Sequence, residues 1–195
     1  MAENRIVYGV SNLHFGTYTV GTNGTVSLGT PYHLPGTVNI SMDPQTEENT
    51  FYADNVAYWT GYTDNGYAGD IENANFTDEF KVQFLNYVEL DDDGIAQIKG
   101  MANKPVYMCF QCEGDQESRR GIFYNVTLGQ ITRAYQTKEA NIEPQTATLP
   151  FTVIGDNKTG IIKVFYGKQA TAYNTIFTSP PLPALPAGLA QTGGE

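Results

Sequence analysis

The sequence predicts a mainly β fold, an antiparallel β-sandwich or barrel-like domain with one flanking helix at about residues 77–90. Three observations predict this fold class. The 195 residues include 13 Tyr and 10 Phe, and aromatic residues favour strands. The 20 Gly and 10 Pro are turn-forming residues, and a fold of many short strands needs many turns. One segment alone shows the periodicity of an amphipathic helix.

The strands are predicted from alternation and from turn residues. Segments 17–20 and 25–28 flank Gly21-Thr22-Asn23-Gly24, and an Asn-Gly pair supplies the positive φ angles of a tight hairpin. Segment 37–42 alternates apolar and polar residues, which is typical of a half-buried strand. The turn at 155–160 is predicted to join the last two strands as a hairpin. Strand candidates in the second half are 95–98, 105–112, 121–128, 131–137, 147–154 and 161–166.

The helix prediction depends on a cap and on an apolar stripe. Thr77 is a good N-cap residue, and Asp78 and Glu79 suit the positive end of the helix dipole. Four apolar residues then share one helical face, which must pack against a sheet. They are Phe80, Phe84, Leu85 and Val88.

The end of the chain differs in composition from the rest. Residues 179–186 read Ser-Pro-Pro-Leu-Pro-Ala-Leu-Pro, which favours an extended polyproline conformation. The sequence therefore predicts one domain at residues 1–177 and a Pro-rich, flexible C-terminal arm at 178–195. Two roles stay open for this arm, a contact with a neighbouring subunit and a loose terminus.

The charge balance excludes conventional binding to nucleic acid. Eleven Lys and Arg stand against 21 Asp and Glu, a formal net charge of -10. Binding to DNA or RNA needs cations that replace counterions along the phosphates. The sequence also contains no apolar run of the length of a signal peptide or a membrane span. Folding in a cytoplasm, with no membrane span, is expected.

No pattern of catalytic or ligand-binding residues stands out. Cys109 and Cys112 lie three apart in a predicted strand, so their side chains point to opposite faces and cannot form a disulfide. His14 and His33 are the only histidines, so a zinc site is not expected. The acidic turn at 91–94 lacks the closing Glu of a calcium loop. We expect no enzyme, no cofactor and no metal.

An aromatic cluster in the first half admits two interpretations. Trp59 lies near Tyr58, Tyr62 and Tyr67, among Asn and Asp residues. Such residues form carbohydrate-binding platforms, and they serve equally well at a protein–protein interface. The sequence does not separate these two functions.

An ordered set of short motifs over residues 5–177 resembles the phage major tail protein family of the phi13 type. The segments that carry the resemblance are Leu34-Pro35-Gly36-Thr37-Val38-Asn39-Ile40, Thr50-Phe51-Tyr52-Ala53-Asp54-Asn55, Gly66-Tyr67-Ala68-Gly69-Asp70-Ile71-Glu72, Arg119-Arg120, Tyr124-Asn125-Val126, Thr137-Lys138-Glu139, Ile142-Glu143-Pro144-Gln145-Thr146 and Ala172-Tyr173-Asn174. The Pro-rich tail is not part of this pattern.

The resemblance implies a tail tube fold and a structural role in a virion tail. Subunits of that family are expected to form hexameric rings, which stack into a tube that conducts genomic DNA into the host without specific binding. Implied partners are further copies of the chain, a tape measure protein, and tail terminator or baseplate proteins, with assembly in the host cytoplasm. The alternatives are another ring protein of the virion, such as a terminator or baseplate hub, and a carbohydrate-binding β-sandwich module.

Two groups of residues are candidates for these roles. Within a predicted assembly loop at 43–62, the candidates are Asp43, Glu47, Glu48, Phe51, Tyr52, Asp54, Tyr58 and Trp59. Alternation places Asp70 and Glu72 on one strand face, and Glu139 and Glu143 on one face if that stretch is extended. An acidic tube lumen would repel phosphates weakly and uniformly. These four carboxylates are therefore lumen candidates, with the outer surface as the open alternative.

Overall fold

The computed structural model describes residues 9–100, 104–114, 117–137 and 145–186. Across these ranges the chain forms a ten-stranded antiparallel sheet, a separate two-stranded hairpin and two short helices. The predicted fold class, mainly β and antiparallel, is confirmed, and the sheet does not close into a barrel.

The strands of the large sheet run in the order β2-β1-β8-β9-β11-β5-β4. Three short strands add to this path, β3 on β1, β10 on β11 and β12 on β9. Among the described strands, β6 and β7 pair only with each other. The elements are β1 Gly9–Val20, β2 Val26–Leu28, β3 Tyr32–His33, β4 Thr37–Ala53, β5 Val56–Asn73, α1 Asp78–Phe84, β6 Tyr87–Glu89, β7 Ile95–Gln97, β8 Val106–Glu113, β9 Arg120–Leu128, β10 Thr132–Arg133, β11 Ala147–Val153, β12 Lys163–Tyr166 and α2 Thr171–Thr175.

The central strands β8 and β9 are buried on both faces. Along β8, Met108 and Phe110 enter one hydrophobic cluster, which also contains the apolar residues of α1. Tyr107 and Cys109 enter a second cluster on the opposite face, together with Ile176 from the end of the fold. Because successive strand residues point to opposite faces, a strand that is covered on both sides reads as a continuous apolar run.

A bulge at Asn125 divides β9 into two halves that pair with different strands. Asn125 has φ of 53°, and its Nδ2 donates to the Gly155 carbonyl at 2.8 Å. Before the bulge β9 pairs with β12, and after it with β11. The predicted hairpin between the last two strands is therefore wrong. β11 and β12 follow one another along the same edge of β9, because the bulge redirects that strand.

The helix α1 is shorter than predicted. Thr77 is the N-cap, and its Oγ1 accepts a hydrogen bond from the Phe80 amide at 3.2 Å. The helix ends at its C-cap Leu85, because Asn86 takes a left-handed conformation with φ of 54°. The predicted end at residue 90 is wrong, since Val88 lies in β6 and is 37% exposed. The second helix, α2, was not predicted, because it has only five residues and no side-chain cap.

The start of the predicted C-terminal arm contacts the domain. The Ile176 side chain is fully buried, and the Phe177 ring lies against both the His14 imidazole and the Arg120 guanidinium. Further on, the Tyr124 hydroxyl donates to the Pro181 carbonyl at 2.8 Å. Contact with the domain therefore continues past residue 177, while 187–195 lie outside the described residues. The domain boundary itself stays a prediction.

Candidate assembly surface

The two longest strands, β4 and β5, form a hairpin that extends past the rest of the sheet. β11 pairs with β5 only from Tyr67 to Asn73. Beyond Tyr67, the ladder continues between β4 and β5 alone as far as Ala53 and Val56. We name residues 44–66 the hairpin arm. About ten residues on each strand, at about 3.3 Å per residue, give the arm a length of about 30 Å.

A tight turn and polar cross-strand contacts hold the hairpin arm together. Asp54 and Asn55 at its tip both have positive φ, 51° and 62°, as a two-residue type I′ turn requires. Asn and Asp tolerate this conformation better than other non-Gly residues. Along the strands, the Asn49 Nδ2 donates to the Thr63 Oγ1 at 2.9 Å. The arm is thus regular β-structure in a single subunit.

The predicted loop at 43–62 is therefore wrong as secondary structure. Polar side chains at residues 43–50 suggest a loop, because a strand of a folded domain normally buries one of its faces. In the arm neither face is buried, so the strands lack the apolar alternation that identifies a strand. The Asp54-Asn55 pair between two aromatic segments is the signal in the sequence that indicates a hairpin.

Five aromatic side chains of the hairpin arm are exposed to solvent. Phe51 and Trp59 lie directly opposite each other on paired strands and so share one face. The Trp59 ring occupies the space that a side chain at Gly61 would need. The exposed fractions are 60% for Phe51, 68% for Tyr52, 76% for Tyr58, 57% for Trp59 and 73% for Tyr62. Concentrated exposed apolar surface marks an interaction site in a soluble protein.

The acidic candidates of the hairpin arm surround these aromatic residues. Glu48 lies opposite Tyr62, and Glu47 lies opposite Thr63 on the other face. Asp54 is at the tip, beside the aromatic residues. All three carboxylates are in exposed residues. The arm therefore presents an aromatic centre with a charged rim, the distribution that protein–protein interfaces show.

The lumen candidates Asp70 and Glu72 lie at the base of the hairpin, on one face of β5 as predicted. Asp70 is exposed, and Glu72 accepts a hydrogen bond from the Thr146 hydroxyl at 2.6 Å. Asp43 lies on the same face as Asp70 and Glu72. It pairs with Ala68, which is two residues from Asp70 on β5 and therefore points to the same side. Asp43 is thus at the base of the arm, beside the lumen candidates. Glu139 and Glu143 lie outside the described residues.

A shallow groove crosses this acidic face. It is lined by Asp43 of β4 and Asp70 of β5 on one side. On the other side it is lined by exposed residues of β9 and β11, namely Thr127, Pro150 and Thr152. Across the described strands of this face, β11 contributes Thr148, Pro150 and Thr152 opposite Glu72, Asp70 and Ala68. None of these side chains is basic, and the charged ones among them, Asp70 and Glu72, are acidic.

Away from the arm, the titratable groups of the second cluster are structural. Cys109 and Cys112 lie on opposite faces of β8 and form no disulfide, and burial raises the pKa of Cys109. Asp156 accepts hydrogen bonds from the Tyr18 hydroxyl at 2.6 Å and from Thr159. Burial raises the pKa of Asp156, but the hydrogen bonds from Thr159 and Tyr18 outweigh it and lower that pKa. These hydrogen bonds tie the turn at 155–160 to β1.

The described helices include none that is both long and apolar enough to cross a membrane. No protein-family model matches the chain, and no curated protein matches it. Among solved structures, it is similar to a chain in the cryo-electron-microscopy structure of the anti-feeding prophage baseplate, symmetrised sixfold. The identity is 9% and the TM-score 0.45, over 87% of this chain and 100% of that chain. At this distance the two chains share a general likeness only.

Proposed function

We propose that this chain is a structural subunit of a phage tail tube, which assembles into stacked hexameric rings with an acidic lumen that conducts genomic DNA into the host. The observation that supports this most is the hairpin arm, which projects about 30 Å from the sheet and exposes five aromatic side chains. The family resemblance is the source of the number six and of the DNA-conducting role.

The energetics of the hairpin arm favour burial against another subunit. Moving one large apolar side chain from water into a packed interface is worth about 1.5–3 kcal/mol. Phe51, Tyr52, Tyr58, Trp59 and Tyr62 therefore offer far more stabilisation than a single subunit uses. Aromatic residues at the centre of an interface also carry most of its binding energy. The arm is long enough to reach a neighbouring subunit in a ring or a neighbouring ring in a stack.

The sheet offers a second contact. Among the described strands, β4 is the last of the sheet order, so one of its edges pairs with no described strand of the same subunit. An open edge is a template for a strand from another copy. A contact between this edge and a different edge of the next subunit is heterologous, and such contacts close into rings when the rotation permits.

The acidic face at the base of the hairpin suits the wall of a DNA conduit. Asp43, Asp70 and Glu72 lie there beside Thr and Pro side chains, without a basic residue among them. Basic side chains in this place would bind phosphates and release counterions, which holds DNA in place. Carboxylates repel phosphates and let DNA slide. Tape measure, terminator and baseplate proteins are the partners that this role implies in the virion tail.

Negative-stain electron microscopy of the purified protein, over a range of concentrations, tests the proposal. We expect hollow tubes of variable length built from stacked rings. A terminator or baseplate hub would instead form single rings that do not elongate. A carbohydrate-binding module would stay monomeric and bind sugars on a glycan array through the same aromatic residues. Monomers at every concentration, together with sugar binding, would contradict the tube proposal.

A further inference from the structure

The two histidines of the chain lie directly opposite each other on paired strands, His14 in β1 and His33 in β3. Their ring centroids are 4.8 Å apart, with the ring planes at 41°. Two imidazoles that bind one Zn²⁺ at about 2.1 Å each place their centroids about 5 Å apart. The spacing of this pair therefore fits two ligands of a single ion.

The structure fixes the tautomer of His14. Its Nδ1 donates to the Asn12 carbonyl at 2.7 Å, so the lone pair is on Nε2. A hydrogen bond from one ring nitrogen to a backbone carbonyl is the usual support of a metal-binding histidine. Asn12 has φ of 54° and lies in a bulge of β1, which turns its carbonyl toward the ring.

The surroundings hold one imidazole and leave the other adjustable. The Phe177 ring stacks on the His14 imidazole at a centroid distance of 4.7 Å. The Arg120 Cζ lies 4.8 Å from the Phe177 ring centroid. His33 is exposed, and within the described ranges its ring nitrogens have no hydrogen-bond partner. His33 can therefore rotate to complete a site whose first ligand is already positioned.

We propose that His14 and His33 bind one transition-metal ion of the Zn²⁺, Ni²⁺ or Cu²⁺ class, with water in the remaining positions. Imidazole suits these ions, whereas Mg²⁺ and Ca²⁺ prefer oxygen ligands. In the part of the chain that the structure describes, no third His, Cys, Asp or Glu converges on the pair. The bound ion ties the two-residue strand β3 to β1. The site is independent of the proposed role in a tail tube.

Isothermal titration calorimetry of the full chain with NiCl₂ or ZnCl₂ at pH 7.5 tests this site, with MgCl₂ as the control ion. We expect one ion per chain and no heat with Mg²⁺. Because two imidazoles chelate the ion, His14→Gln and His33→Gln should each weaken binding about tenfold or more. His33 is exposed, so His33→Gln keeps the fold, which circular dichroism can verify.

Cys112→Ser is the matched control, because Cys112 is the more accessible of the two thiols that could bind the same ions. We expect this variant to bind as the unchanged protein does. Absence of binding, full binding by His33→Gln, loss of binding in Cys112→Ser, or one ion per two chains would each overturn the proposal.

Discussion

Replacing Trp59 with alanine is expected to raise the protein concentration needed for polymerisation by about 30-fold. Truncating an aromatic residue at the centre of an interface costs about 2 kcal/mol of binding free energy. Each 1.4 kcal/mol changes the dissociation constant about tenfold. The melting temperature should stay unchanged, because Trp59 is 57% exposed in a single subunit and lies on the arm, away from the core. Ultracentrifugal pelleting across a concentration series measures the first quantity and calorimetry the second.

Tyr135→Ala is the matched control for Trp59→Ala. Tyr135 is an aromatic residue outside the hairpin arm, and at 86% it is still more exposed. Its removal should leave the polymerisation concentration unchanged, while Phe51→Ala should act in the same direction as Trp59→Ala, since the two rings share one face. Normal polymerisation by Trp59→Ala, or an equal defect in Tyr135→Ala, would count against the arm as an assembly element.

Phe80→Ala is expected to lower the free energy of unfolding by about 3–5 kcal/mol, as large truncations in a closed core do. The Phe80 side chain is fully buried. Its ring centroid lies 5.1 Å from that of Phe15, 5.6 Å from that of Phe76 and 5.3 Å from that of Phe84. The substitution removes the centre of an aromatic cluster that joins α1 to the sheet. Urea unfolding followed by circular dichroism measures the change.

Val88→Ala separates the observed helix from the predicted one. If the helix extended to residue 90, Val88 would belong to the same apolar stripe as Phe80, and its truncation would be costly. In the structure Val88 lies in β6 and is partly exposed, so we expect a change of less than about 1 kcal/mol. A loss as large as that of Phe80→Ala would contradict the short helix.

Local features of the fold were predictable because their causes are local. Thr77 caps α1 because its side chain reaches an amide only three residues away. The β1–β2 hairpin forms at the predicted turn, where Gly24 has φ of 72°. Only the residues of the turn itself determine that conformation, so a short sequence window contains all the necessary information.

Features that depend on distant segments were not predictable in the same way. The helix was predicted too long because Val88 continues the stripe in sequence, while Asn86 reverses the chain before that residue is reached. The exchange of partners along β9 depends on one bulge at Asn125 and on the arrival of two later strands. Neither strand is visible in the local pattern around Asn125.

The candidate assembly surface also combines features that depend on neighbouring residues with features that depend on distant segments. Alternation alone placed Asp70 and Glu72 on one face, because both lie on the same strand. Adding Asp43 to that face requires the register between β4 and β5, which is a contact between distant residues. The hairpin arm lacks the alternating apolar pattern from which a strand is predicted. Burial in the domain produces that pattern, and the arm is not buried in the domain.

The fluorescence of Trp59 in assembled protein tests the central claim most directly, that the hairpin arm is buried between subunits. The chain contains a single tryptophan, so the whole signal comes from the arm. In sedimented polymer, compared with dilute protein, we predict emission at shorter wavelength and weaker quenching by acrylamide. Polymer whose emission and quenching equal those of the dilute protein would contradict the claim, because its arms would still be exposed to water.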